Sequence, residues 1–380
     1  MVAALRRSMF SNRRLFRRVT CRAAASVMLA SWLVSAPAAA ASGWSVQRIP
    51  TPVGANARLT GVSCDPTGDC MAVGAVGLRP QRSFAERWNG SSWSLQRITS
   101  PQGSQLVAVS CPSTRDCVAV GSVLTPLSTF PLAERWNGSK WSLEPTPHQG
   151  AGMLDSVSCI SPGACTAVGI SSAPAAGNQA PLAERWNGSR WSIEKIANPV
   201  AQNGDAFSGV SCAAPRVCIA VGSTPDNALV ERWNGAWTIQ STPGSPGNGY
   251  YGFTGVSCWS TTACEAVGGY ASSGGTAALG KLVGGTSDHP FQFGAYPGDT
   301  EFLAVSCTSN TACAAVEATD DPMSSAIEQW NGVKWSIQPT PRSQNAHLLG
   351  LSCTARSGCV AVGSMHGPRN SEVPLIEQQS

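Results

Sequence analysis

The chain has 380 residues, with 39 glycines, 26 prolines and only 13% charged residues, a balance that excludes a charge-rich helical protein and favours many short strands and turns. Its net charge of +4 misleads, because residues 1–41 hold seven arginines (Arg6, Arg7, Arg13, Arg14, Arg17, Arg18, Arg22) and no acid. The remainder has 19 basic against 22 acidic residues, a net of −3, which excludes an electrostatic footprint for nucleic acid or an anionic membrane.

Residues 1–41 have the form of a secretory signal peptide. A basic region ends at Arg22, the apolar stretch Ala23 to Val34 follows, and small residues then offer cleavage after Ala41. The apolar stretch is too short to span a bilayer. "NRRLF" (Asn12 to Phe16) has a faint twin-arginine look. The paired cysteines described next favour export unfolded with oxidation outside, so Sec-type export is expected ahead of twin-arginine export. Cys21 lies before the apolar stretch, so it is no lipoprotein anchor, and no later segment is apolar enough to cross a membrane. The expected location is extracellular or cell-wall associated.

Residues 42–380 form one repeat array. Fourteen cysteines make seven pairs at one spacing: Cys64/Cys70, Cys111/Cys117, Cys159/Cys165, Cys212/Cys218, Cys258/Cys264, Cys307/Cys313 and Cys353/Cys359. Units begin near residues 59, 106, 154, 207, 253, 302 and 348. Such a period, with four strands per unit, marks a β-propeller. In one unit "LVAVSC" (Leu106 to Cys111) alternates as a first strand, "CVAVGSV" (Cys117 to Val123) is a second and "PLAERW" (Pro131 to Trp136) a third. Asn137-Gly138 is a hairpin signal, because both residue types tolerate positive φ. "WSLEP" (Trp141 to Pro145) is the fourth strand, and the proline that follows ends it.

The ends of the array interlock. "WSVQRIP" at Trp44 matches a fourth strand, and the terminal "PLIEQQS" matches a third. The expected fold is therefore all-β: a seven-bladed β-propeller with four antiparallel strands per blade. Strand 44–49 completes the last blade, and closure removes exposed edges.

Zinc motifs prefer two to four residues between ligands and further ligands nearby. Here the spacing is five, and the four histidines occupy no repeated position. The cysteines are expected to form one disulfide per blade, worth roughly 2 kcal/mol each on a chain-entropy account. No metal and no cofactor is expected. "ERWNGSSWS" recurs from Glu86, Glu134, Glu184, Glu231 and Glu328. Its tryptophans read as cross-strand staples rather than ligand platforms, since they repeat in nearly every blade. Glu86, Glu134, Glu184, Glu231, Glu328 and Glu377 share one register and read as a structural ring paired with neighbouring arginines.

The unit resembles the Asp-box and photosystem II assembly-factor-like propellers of secreted bacterial type. "CVAVG" stands where those carry a "GWAVG"-like strand, and "NGSKW" where they carry a "DGGxTW"-like turn. The Asp-box aspartate is replaced by Asn89, Asn137, Asn187, Asn234 and Asn331. Kelch-type propellers also place a tryptophan here. The resemblance implies a fold and no particular activity.

In an up-and-down blade the cysteine turns and the Asn-Gly turns share one face. The loops between second and third strands lie on the other, which gathers what varies between units. Binding residues favour such loops on a rigid scaffold. All four tyrosines fall between positions 250 and 296, and blade five replaces the repeat motif with "GKLVGGTSDHPFQF" (Gly280 to Phe293). Tyr250, Tyr251, Tyr270, Tyr296, Asp299, Glu301, Asp320 and Asp321 are the candidate ligand-binding residues, suited to a sugar or a cation. No nucleophile elbow, Walker loop or His-Glu-x-x-His motif occurs. The expectation is a monomeric, non-enzymatic binding or scaffold propeller for an extracellular carbohydrate or protein. The alternative is a glycan-active hydrolase or lyase on the same scaffold, using loop carboxylates.

Overall fold

The protein is described from a computed structural model. It covers residues 43–50, 56–79, 81–147, 150–172, 179–197, 205–225, 227–240, 242, 250–272, 275–280, 294–295, 301–318, 324–341, 346–367 and 371–379, with the backbone alone at 250, 251, 270–272, 275–280 and 294–295. The chain parts into two units, Met1–Ala41 and Ser42–Ser380, and all described residues belong to the second.

Among the described residues the strands form seven four-stranded antiparallel sheets, here numbered one to seven in chain order by their first strands. Those first strands are Ala57–Cys64, Ser104–Ser113, Gly152–Ser161, Ala206–Ala214, Tyr250–Ser260, Glu301–Ser309 and Ala346–Thr354. Sheet two continues with Asp116–Leu124, Thr129–Trp136 and Trp141–Glu144. In the last sheet the fourth place is taken by Trp44–Val46, which pairs with Glu372–Gln379 in the register Trp44↔Gln379 and Val46↔Glu377. Each first strand touches that of the next sheet, and the last touches the first. The sheets are the blades of a β-propeller.

Two sequence features shape every blade. The second strand, read as "CVAVG", is buried on both faces because it lies between two neighbouring blades. Its glycine answers a β-bulge in the first strand, which falls between Leu106 and Ala108 in blade two and at the matching place in each other blade. The bulge brings the first-strand backbone against the second strand. A Cβ on Gly121 would lie 2.1 Å from the Gln105 carbonyl oxygen. The core is correspondingly divided. Seven apolar clusters each join two neighbouring blades, and one of them joins the last blade (Val360, Val362, Ile376) to the first (Leu59, Phe84, Trp93).

A ring of hydrogen bonds runs through the inner strands. The backbone N–H of Cys111 donates to Ser63 Oγ at 3.0 Å, Cys159 to Ser110, Cys212 to Ser158, Cys258 to Ser211, Cys307 to Ser257 and Cys353 to Ser306. Cys64 N–H then donates to Ser352 Oγ at 3.0 Å and closes the cycle. The serine before each first cysteine thus caps the backbone of the following blade. No sequence pattern local to one blade could reveal this, because each bond spans 47 residues or more.

Candidate functional site

The repeated face is built from staples. All seven cysteine pairs are disulfide-bonded: Cys64–Cys70, Cys111–Cys117, Cys159–Cys165, Cys212–Cys218, Cys258–Cys264, Cys307–Cys313 and Cys353–Cys359, with Cα–Cα separations of 3.9–4.1 Å. They cross directly between first and second strands beside the turn. The second cysteine of each pair opens the doubly covered strand, so Cys70, Cys117, Cys165, Cys218, Cys264, Cys313 and Cys359 are all buried. These cysteines are therefore core staples, and none of the seven presents a surface for a ligand. The tryptophans also behave as expected: Trp88/Trp93, Trp136/Trp141, Trp186/Trp191, Trp233/Trp237 and Trp330/Trp335 pack across their hairpins with centroids 5.6–5.9 Å apart. The turn chemistry differs from expectation. Only the glycine takes positive φ, as at Gly138 (92°), while the asparagine works through its side chain. Asn137 Oδ1 accepts from the Ser139 and Lys140 N–H groups and from Ser139 Oγ, which closes a four-residue loop.

The glutamates require a correction. They are buried, but the arginines beside them pair elsewhere. Arg87 reaches Asp69 at 3.0 Å and Arg135 reaches Asp116 at 2.7 Å, each within its own blade. The Arg185 guanidinium lies 4.6 Å from the Trp233 ring of the next blade and donates to the Pro215 carbonyl. The physical reason is alternation: in a strand, neighbouring residues point to opposite faces, so Glu and Arg of "ERW" cannot share a side. The glutamates turn toward the preceding blade. Glu134 accepts from Ser100 Oγ at 2.6 Å and Glu231 from the Ala197 N–H at 2.9 Å, both donors lying in the connection from that blade. Glu86 and Glu184 have no hydrogen-bond partner among the described residues. Burial pushes the Glu86 carboxyl up to about 8 and that of Glu184 up to about 7. Glu328 rises to about 7 through burial and then through the charge of Glu317. These acids are protonated over much of the pH range in which an ordinary glutamate is charged.

At the centre a cavity of about 190 Å³ is lined by three residues from each first strand, with the bulge residues Thr60, Val107, Asp155, Ser208, Thr254, Leu303 and Leu349 at the head of each triplet. Asp155 is the charged member of this lining, and burial raises its carboxyl to about 6. Thr60 and Thr254 donate to the carbonyls of Leu106 and Phe302 in the next blade, so part of the lining serves to hold the ring together.

On the variable face, Tyr250 and Tyr251 begin the first strand of blade five and Tyr270 lies near the end of its second. Tyr251 and Tyr270 are cross-strand partners in the backbone, while their side chains lie outside the described residues. Tyr296, Asp299, Asp320 and Asp321 also lie outside the described residues. Glu301 is exposed at the start of blade six and packs beside Gly269 of blade five. Across the ring, the same face holds a polar cavity of about 220 Å³ between blades one, two and three. Arg79, Gln81, Gln105, Ser122, Thr129 and Met153 line it. The sequence shows Arg79 as a loop arginine of a variable segment, but the two glutamines join it only through the fold.

Among the described residues no three His, Cys, Asp or Glu side chains are grouped as metal ligands would be. No helix there is long and apolar enough to cross a membrane.

No protein-family model and no curated protein matches the chain. Solved structures do. YCF48 from Cyanidioschyzon merolae aligns with a TM-score of 0.56 at 13% identity, over 89% of this chain and 99% of that one. YCF48 bound to D1 peptide aligns with a TM-score of 0.54 at 13% identity, over 91% and 100%. At this identity the likeness is one of fold, that of a β-propeller.

Proposed function

We propose that the chain is a secreted seven-bladed propeller, exported behind a signal peptide at residues 1–41, that binds a carbohydrate or protein through its variable loop face. Seven blades are supported by the closed cycle of Ser–Cys hydrogen bonds and by the seven triplets around the central cavity. Secretion is supported by the disulfides, which form and persist in oxidising compartments.

The observation that carries the binding role is the asymmetry of the two faces. One is occupied by disulfides, Asx turns and tryptophan staples. The other holds loops that differ between units and a polar cavity lined by Arg79, Gln81 and Gln105. A rigid scaffold with diversity confined to one face suits recognition. The peptide seen with YCF48 fits a protein ligand at the level of fold.

The experiment is a screen of the mature protein against a glycan array and a peptide library. A ligand whose binding falls at least ten-fold on Arg79→Ala or Tyr251→Ala places recognition on the variable face. A ligand insensitive to every variable-loop substitution removes this reading.

A further inference from the structure

The seam where the chain closes on itself differs from the two junctions that flank blade three. At those two junctions the arginine of one blade lies by the first hairpin tryptophan of the next: Arg135 is 5.7 Å from the Trp186 ring and Arg185 4.6 Å from that of Trp233. Trp88 should receive its arginine from the last blade. The residue at that register is Gln378, since Gln378 pairs with Val360 as Arg135 pairs with Val118. The next residue, which is Trp136 in blade two, is Gln379. The four-residue loop that would shield the site is missing too, because the chain is divided there.

Trp88 is half-buried, with no cation over its ring among the described residues. One face of the indole packs on Trp93. Trp88 also lines an open cleft of about 690 Å³, together with Thr67, Arg356, Ser357, Gln378 and Gln379. This volume lies within the roughly 300–1,000 Å³ common for small-ligand sites. The lining offers amide, hydroxyl and guanidinium groups beside one indole, without an acid among the described lining residues.

We infer that this cleft binds a neutral pyranose sugar, with its apolar C–H face against Trp88 and its hydroxyls toward Gln378, Gln379 and Arg356. A sugar ring has that division between an apolar face and a hydroxylated edge. A purely apolar ligand would cover the Gln378 amide without giving it a partner, which is costly. The site lies on the stapled face, opposite the variable loops, and does not rest on the function proposed above.

The test uses the oxidised mature chain and three probes: methyl β-glucopyranoside, methyl α-mannopyranoside and methyl β-galactopyranoside. Saturation-transfer NMR is expected to show transfer to the ring protons of at least one. Gln378→Arg rebuilds the arginine cover of the other blades without removing the tryptophan. It is expected to weaken that binding at least ten-fold while the thermal midpoint holds or rises. No transfer to any probe, or transfer unchanged in Gln378→Arg, overturns the inference. If Gln378→Arg lowers the midpoint, Arg356→Gln at its exposed turn decides: weakened binding supports the site and unchanged binding overturns it. A glycan held by the variable face keeps its affinity in both variants, so failure here leaves the other proposal standing.

Discussion

In blades one to four the third strand ends in Glu-Arg-Trp, and the arginine is always engaged. Arg87 and Arg135 hold aspartates, Arg185 lies over Trp233, and Arg232 donates to the Thr261 carbonyl of the next blade. In blade five the motif is replaced, and its fourth strand is only Gly294–Ala295. In blade six the arginine is Gln329, and the second-strand glycine is Glu317. Yet the Ser–Cys ring and the disulfides pass through both regions unchanged. The hub of the ring is therefore uniform while the rim is not. The Ser–Cys hydrogen bonds link each inner strand to the next and a disulfide staples it within its own blade, and neither draws on the outer hairpin, which leaves that hairpin free to diverge.

Five sets of substitutions would break or sharpen this contrast. The largest effect belongs to the bulge: Gly121→Ala drives a Cβ into the Gln105 carbonyl and should cost about 3 kcal/mol, whereas Glu317→Ala at the matching place in blade six should cost less than about 1 kcal/mol. Chemical denaturation of the two variants compares them directly. Next, replacing Cys111 and Cys117 together by alanine should cost roughly 2 kcal/mol, and the same change at Cys258 and Cys264 should cost as much. Unequal losses would mean that the hub is not uniform. A free-thiol assay of wild-type residues 42–380 under oxidising conditions should meanwhile find none.

Third, Ser110→Ala leaves the Cys159 N–H without its acceptor and should cost about 1.5 kcal/mol, matched by Ser257→Ala beneath Cys307. Fourth, Arg185→Ala should cost about 1 kcal/mol through the lost contact with Trp233, while Gln329→Ala should stay within about 0.5 kcal/mol. The last effect is one of pH. Glu86 and Glu184 have folded-state values raised to about 8 and about 7, so the folded state holds more protons than the unfolded chain above the ordinary carboxylate range. Their contribution is full below about 4.5 and is lost as pH rises through 7 to 8. The thermal midpoint should fall between pH 5 and pH 8.5, and Glu86→Gln should shallow that fall.

Much of the fold is legible in the sequence because the cysteine spacing and the Asn-Gly turns are local signals that repeat. The serine ring is legible in principle, since Ser63, Ser110, Ser158, Ser211, Ser257, Ser306 and Ser352 all precede a cysteine. Its meaning is not, because the partner sits one blade away. The Glu–Arg pairing fails for the opposite reason: adjacent residues of "ERW" are neighbours in sequence but are separated in space by the strand they share. The tyrosines stand out by composition, whereas the Arg79 cavity draws on three blades and has no contiguous signature. The open face of Trp88 emerges only when Gln378 is compared with Arg135 in register.

The divided last blade has a further consequence for how this protein can be rewired. Trp44 and Gln379 stand opposite each other at the register that Trp141 and Trp136 occupy in blade two, where four residues bridge the gap. A linker as short as Asn-Gly-Ser-Lys should join the ends of the mature chain without strain. New ends could then be opened at Leu127, 94% exposed between Thr125 and Ser128, to give a circular permutant with the same neighbours throughout. The position of the break in this ring is then independent of the contacts that hold its blades together.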